Sequence, residues 1–454
     1  MTDDYVAFVD SKRCAHSDAG FEPGELPDFL YPFEKFATDW ALRKGRAALF
    51  EDCGLGKTVQ QLVWADKVRE HTERPVLILA PLAVSAQTQR EGEKKFGIPV
   101  NVVRSQADVV DGINITNYEM LHHFDSHAFG GLVLDESSIL KSYSSKYRQE
   151  ITDFSASIHY RLACTATPAP NDLIEIVNHA DFLGVLSGKE VKALFFRQDG
   201  NSTSSWKLKG HAERDFWRWL SSWALAIRTP ADIGFEDERF NLPKLNIIPH
   251  VVGGHVEDGY LFPVEAADLQ DRIRARRESV GERVKKCAEL VNSTPGPWVV
   301  WCALNAESDA LRKAIDGAVE VKGSDKPETK AERMIGFSDG EHRVIVTKPS
   351  IAGFGMNWQH CHNVAFVGLS DSWEQWYQAI RRCWRFGQTK DVTAHLIVAD
   401  TEGAVVANIE RKERQAAEMM RRLVEHMGQQ YERVGYEEQD TPTAMPSWLK
   451  AEAV

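Results

Sequence analysis

Short apolar runs and longer amphipathic stretches alternate along the first part of the chain. Runs at Ala47–Phe50, Val76–Ala80, Asn114–Thr116, Leu132–Leu134 and Leu162–Thr165 predict strands. They are continuous rather than alternating, which is what strands covered on both faces of a parallel sheet require. Segments of helical period separate them, so the pattern predicts βα units around a parallel sheet. The rhythm fails after Gly184, where residues 186–262 hold the polar GNSTSSWKLKGHAER, the aromatic helix candidate DFWRWLSSWALAI and the proline-bearing NLPKL. A helical stretch from Val264 to Asn292 leads into a second series, with strands at Trp298–Cys302, Val344–Thr347, Val364–Val367 and Ala394–Val398. A helical segment from Glu402 to His426 closes it, and the polar GYEEQDTPTAMPSWLKAEAV after it predicts a loose tail. The expected organisation is a lead segment over 1–26, a first α/β lobe over 27–185, a mostly helical insert and link over 186–262, a second α/β lobe over 263–427 and a tail over 428–454.

Composition narrows the class without changing this picture. A chain of 454 residues has room for two or three domains. No apolar run approaches the roughly 20 residues that span a bilayer, and the start, MTDDYVAFVDSKRC, lacks the apolar core of a signal peptide. The cytoplasm is the expected compartment, and no membrane partner is expected. Seven scattered cysteines without CxxC spacing predict reduced thiols. His360-Cys361-His362 puts two imidazoles on one strand face, but with no second Cys/His pair at zinc spacing it is read as structural. A net charge of −12 argues against coating nucleic acid over the whole surface, and leaves room for one local basic cleft.

Three segments carry candidate chemistry in the first half. Glu51-Asp52-Cys53-Gly54-Leu55-Gly56-Lys57-Thr58 stands between a strand and a helical pattern. Glycines there let the backbone wrap phosphates at a helix N-terminus, with Lys57 reaching the β/γ-phosphates and Thr58 on Mg²⁺. The strict pattern asks for Gly where Glu51 stands. Asp135-Glu136 ends the run Gly131–Leu134, where α/β sheets place ligands; Asp135 would hold Mg²⁺ and Glu136 would orient the attacking water. Thr165-Ala166-Thr167-Pro168 sits at another strand end, where hydroxyls can bridge a nucleotide site to a neighbouring domain.

In order along the chain, DCGLGKT, LILAPLAV, ITNYE, LDESS, TATPAPND, AGFGMNW and QAIRRCWRFGQTK resemble the motifs of superfamily 2 helicases, and more closely the Swi/Snf family. The resemblance implies an α/β fold of two tandem RecA-like parallel-sheet domains, with ATP and Mg²⁺ as cofactors. Gln378, Arg382, Arg385, Gly387 and Gln388 match the family's Q-x-x-x-R-x-x-R-x-G-Q. Spaced at i, i+4 and i+7, Gln378, Arg382 and Arg385 would share a helix face, and the two arginines would act as arginine fingers from the second lobe. Gly353, Gly355 and Asn357 match a motif touching both γ-phosphate and nucleic-acid backbone, and Pro81, Asn117, Tyr118 and Asn305 fall in or near track-contacting motifs. Arg228-Thr229-Pro230 through Leu242-Pro243 resembles a shortened inter-lobe link. The compact size resembles bacterial and phage versions. The implied activity is ATP-driven translocation along duplex DNA without sequence preference, in replication, recombination or repair, with an RNA track left open. A strand-separating helicase and a nucleotide switch that binds a partner protein are the alternatives.

Two departures stand out. Glu34, after Leu30-Tyr31-Pro32-Phe33, occupies the position of a Gln that reads adenine. An ionised carboxylate accepts but cannot donate, which predicts weaker base selectivity, unless Glu34 is simply a solvated helix residue. DESS replaces DEAH, so Ser138 stands where a His usually couples to the second lobe. Lys141, Lys146 and Arg148 are candidates for backbone contact, and the tryptophans of DFWRWLSSW are expected in a core rather than stacked on bases.

Overall fold

The computed structural model describes residues 19–141, 146–198, 206–253, 277–352, 356–368, 372–399 and 403–434. Two sheets organise it, and every strand pair in both is parallel. Strands β1 (Arg46–Glu51), β2 (Val76–Ala80), β3 (Val100–Val102), β4 (Ile113–Asn117), β5 (Gly131–Asp135) and β6 (Tyr160–Cys164) lie in the first lobe. A small antiparallel hairpin follows, β7 (Phe196–Gln198) with β8 (Trp206–Leu208), and then β9 (Ala224–Ile227) returns to the first sheet. Its order is β3-β4-β2-β5-β6-β1-β9. The second lobe carries β10 (Leu245–Val252), β11 (Trp298–Cys302), β12 (Ala318–Glu320), β13 (Val344–Thr347), β14 (Asn363–Val367) and β15 (Val392–Ala399), in the order β10-β15-β14-β11-β13-β12. The two tandem parallel-sheet lobes expected from the motifs are present.

The central strands are buried along their whole length, Val76–Ala80 and Trp298–Cys302 among them, as helices on both faces demand. Three expectations need correction. Residues 186–262 do not form an insert apart from the sheets. Ala224–Ile227 pairs with β1, Ala48 opposite Ala224 and Glu51 opposite Ile227, and Leu245–Val252 pairs with β15. The aromatic run also splits: the helix Glu213–Ser221 ends before β9, and Phe216, Trp217, Trp219 and Trp223 fill the first-lobe core. The last helix, Gly403–Val434, does not simply close the second lobe. Ile409 packs into the second-lobe core, whereas Met419, Met420 and Leu423 pack into the first, so the helix straddles both. It also extends past the expected start of the tail at residue 428. Of the expected helix Val264–Asn292, Val280–Ser293 is helical, and the part before residue 277 lies outside the described residues. Among the described residues no helix is long and apolar enough to cross a membrane.

Candidate active site

The C-terminal edges of β1, β6 and β5, adjacent in that order, bring the three first-lobe segments together. After β1 the chain turns at Gly54 (φ 93°) and Gly56 (φ 78°), and the 16-residue helix Lys57–Thr72 begins. Gly56 is required on two counts. Its backbone is left-handed, and a Cβ there would fall 1.9 Å from Glu34 Oε1. Glu34 is therefore not a solvated helix residue. It is buried against the glycine loop, and its Oε2 accepts from the Tyr31 backbone N–H at 2.9 Å. Burial pushes its pKa up to about 7. Burial pushes Glu51 to about 8, against Lys57 and the Gln60 amide, which donates to Glu51 Oε2 at 2.8 Å. Lys57 Nζ donates to the carbonyl oxygens of Glu51 and Asp52 at 2.8 and 2.9 Å. Thr58 follows in the first turn of this helix.

Asp135, the last residue of β5, is buried and accepts from Gln61 Nε2 at 2.8 Å. Burial raises its pKa. Glu136 is raised to about 7 by loss of solvent and then by Asp135, and it sits at φ 54°, a backbone state costing on the order of 1–3 kcal/mol that recurs at functional sites. Thr165 Oγ1 accepts from the Thr167 N–H, and Thr167 Oγ1 donates across the lobes to Glu374 Oε1 at 3.4 Å.

The second lobe delivers its matched side chains to this edge. Gln378 Nε2 reaches Glu136 Oε2 at 3.4 Å, and Arg382 donates to the Gln378 carbonyl and side-chain oxygens, each at 2.9 Å. Arg382 lies near enough to favour the ionised forms of Asp135 and Glu136. Arg385 donates to the Met356 carbonyl at 3.4 Å. The arginines are not on one helix face. The helix Trp373–Ile380 stops before them, and Arg382 N bonds Ala379 O while Cys383 N bonds Ile380 O, a tighter three-residue turn. Trp384 Nε1 ties this turn to Pro243 O at 2.7 Å.

Sequence comparison gives the same division of the chain. A SNF2-related domain model matches residues 37–202, and a helicase conserved C-terminal domain model matches residues 282–387. The chain belongs to the SNF2-related family. Its relatives in that family include a SWI/SNF-related matrix-associated actin-dependent regulator of chromatin subfamily A-like protein 1 of Drosophila melanogaster, 22% identical over 84% of this chain and 54% of that protein. Another is the DNA annealing helicase and endonuclease ZRANB3 of Bos taurus, 28% identical over 34% of this chain and 16% of that protein. The chain thus spans about half, or less, of the curated relatives it matches. The Sulfolobus solfataricus SWI2/SNF2 ATPase core in complex with dsDNA aligns over 89% of this chain and 98% of that one, at 16% identity and a TM-score of 0.43, too loose to fix how the lobes sit.

Against the SNF2-related motifs, several expected positions do something else. Tyr118 is buried, and its OH donates to the Asp135 carbonyl at 2.6 Å, which supports the strand end instead of facing a track. Asn117 ends β4 with its Oδ1 buried and without a hydrogen bond among the described residues. Pro81 caps the helix Leu82–Glu91. Asn305 is exposed and accepts from Lys348 Nζ at 2.7 Å, and Asn357 is exposed. Gly353 and Gly355 lie outside the described residues. Lys141 is taken up by Glu374, and Arg148 is buried against Asp181 at 3.2 Å, so neither offers a free charge to nucleic acid; the Lys146 side chain lies outside the description. In the DESS segment, Ser137 Oγ meets His179 Nε2 at 3.1 Å, while Ser138 is buried. Contact with the second lobe runs instead through Thr167, Lys141 and Glu374. Sequence reasoning missed Gln60, Gln61, Glu374, Tyr377 and Arg381. The first two had a signal, consecutive amides on the side of a helix that must pack on the sheet.

Proposed function

We propose that this chain hydrolyses ATP under stimulation by nucleic acid and uses the cycle to translocate along duplex DNA. The observation that carries this reading is the cross-lobe contact of Gln378, itself held by Arg382, with Glu136 beside the phosphate loop. Such an arrangement gives ATP a differential contact with the closed and open lobes, which is what biases a two-state hinge.

In this reading the loop N–H groups and Lys57 take the phosphates, and Glu136, turned by its left-handed backbone, accepts a proton from the attacking water. A carboxylate raised to about 7 is suited to that task near neutral pH. Buried Asp135 at the strand end and Thr58 at the helix start would hold the divalent ion, and Mg²⁺ would supply neutralisation of developing charge there. Arg382 and Arg385 would meet the same charge from the other lobe. Binding to the track is expected through phosphate and sugar, sequence-tolerant and weakened by salt.

The test is steady-state ATPase with no polynucleotide, single-stranded DNA, duplex DNA or RNA, with Lys57→Ala as the blank. Marked stimulation by duplex DNA is expected. Activity indifferent to every polynucleotide would remove the motor reading.

A further inference from the structure

Arg381 stands at a position that the pattern Q-x-x-x-R-x-x-R-x-G-Q leaves free. It is nevertheless the arginine that crosses the lobe boundary to the phosphate loop. Its side chain is 2% exposed, with Nη2 2.9 Å from Asp52 Oδ1 and donating to the Cys53 carbonyl oxygen at 2.6 Å. Tyr377, one turn earlier, donates its OH to the same Asp52 oxygen. The guanidinium carbon lies 5.7 Å from the Tyr377 ring centroid and 4.9 Å from that of Trp384. Phe386 completes the contact, packed so closely on Gly54 that a Cβ there would come within 2.9 Å of the Phe386 nitrogen.

Arg382 and Arg385 are held differently. Their hydrogen bonds go to Gln378 and Met356 of their own lobe. Nothing in those bonds tells the arginines where the phosphates are. Arg381 Nη2 finds both its partners in the loop, while Nε stays buried without a hydrogen bond among the described residues. A buried charge is costly when its partner is removed, so the Nη2 contacts favour one placement of the turn on the loop. Burial works against the Arg381 charge, and Asp52, Tyr377 and Cys53 together outweigh it.

We propose that Arg381, paired with Asp52, is a positioning residue that registers the arginine turn of the second lobe against the phosphate loop of the first, and so sets where Arg382 and Arg385 meet the phosphates. The proposal rests on the ATPase reading above. Arg381 acts through its neighbours, since the bonds made by its Nη2 go to the loop itself. A catalytic group displaced by about 1 Å can lose on the order of 10²-fold in rate, which sets the size of the expected effect.

The full chain carrying Arg381→Gln, Arg381→Lys, Asp52→Asn or the Arg381→Gln/Asp52→Asn pair would be compared by duplex-stimulated ATPase, thermal melting and an inter-lobe distance from paired fluorophores. Arg381→Gln is expected to lower kcat by about 10- to 100-fold, with KM for ATP shifting far less. Asp52→Asn should match it, and the double variant should be no worse than the weaker single, as for two partners of one contact. Arg381→Lys should recover part of the loss, because an ammonium keeps the charge on Asp52 but does not place its donors where the guanidinium Nη2 stands. Wild-type kcat in Arg381→Gln, or losses that multiply in the double variant, overturn the proposal. So does a fall in melting temperature with kcat and KM changing together and no recovery by Lys, the signature of a merely structural role. If the wild type shows no ATPase above Lys57→Ala, the ATPase reading fails. The inter-lobe distance then judges the pairing alone: Arg381→Gln and Asp52→Asn must lengthen it alike, and an unchanged distance overturns it.

Discussion

The two faces of the cleft hold opposite charges in opposite ways. On the first lobe, Glu34, Glu51 and Asp135 are buried carboxyls with Glu136 beside them, and burial raises the pKa of all four. On the second, Arg381 and Arg382 are buried and Arg385 half-buried, and loss of solvent, with Arg382 adding to it, pushes Arg385 down to about 10. The carboxyl face is satisfied mainly by its own neighbours, through Gln60, Gln61, Lys57 and the Tyr31 N–H. On the second-lobe face, Arg381 is completed across the boundary by Asp52 and the Cys53 carbonyl, and Gln378, which Arg382 holds, reaches Glu136. In the proposed reading, the phosphate site is preformed on one lobe and finished only when the other docks, the difference a motor would need between its two states.

The largest effect should come from removing the finishing half. Arg382→Ala is expected to lower duplex-stimulated kcat by about 10³–10⁵-fold, the range for an arginine finger, measured by steady-state turnover at saturating ATP. A loss under tenfold would make the two faces less dependent on each other than argued above. A smaller effect sharpens the preformed half. The Glu34 pKa is raised from 4.5 to about 7 in the folded chain, so its contribution to stability is fully present below about 4.5 and is lost as pH rises through 7. That loss amounts to roughly 3 kcal/mol. Glu34→Gln should therefore melt higher than the wild type at pH 8, with the gap closing by pH 5; a gap independent of pH contradicts the burial argument. At pH 8, where Glu34 is mostly ionised and can only accept, the same variant should also discriminate more strongly between ATP and GTP, because an amide donates as well as accepts.

The preformed half was also the legible half. DCGLGKT and LDESS are contiguous, and their strands and glycine turn follow from local pattern. What escaped depends on distant packing. Ala224–Ile227 continues an apolar run that begins in a helix, and only its pairing with β1 makes it a strand. Leu245–Val252 begins at the end of the proline-bearing NLPKL, which reads as a link, and carries Pro249; the structure makes it an edge strand, where a missing N–H is tolerated. The spacing of Gln378, Arg382 and Arg385 suggested one helix, yet the chain tightens at Arg381, whose Nη2 pairs with Asp52 in the other lobe.

The central claim, that both lobes build one hydrolytic site, is tested most directly by single-turnover ATP hydrolysis in Glu136→Gln, Arg382→Ala and the double variant. Residues that act as a unit are strongly non-additive, so the double variant should be no slower than the worse single. Losses that multiply, or an Arg382→Ala protein hydrolysing at the wild-type rate, would contradict it.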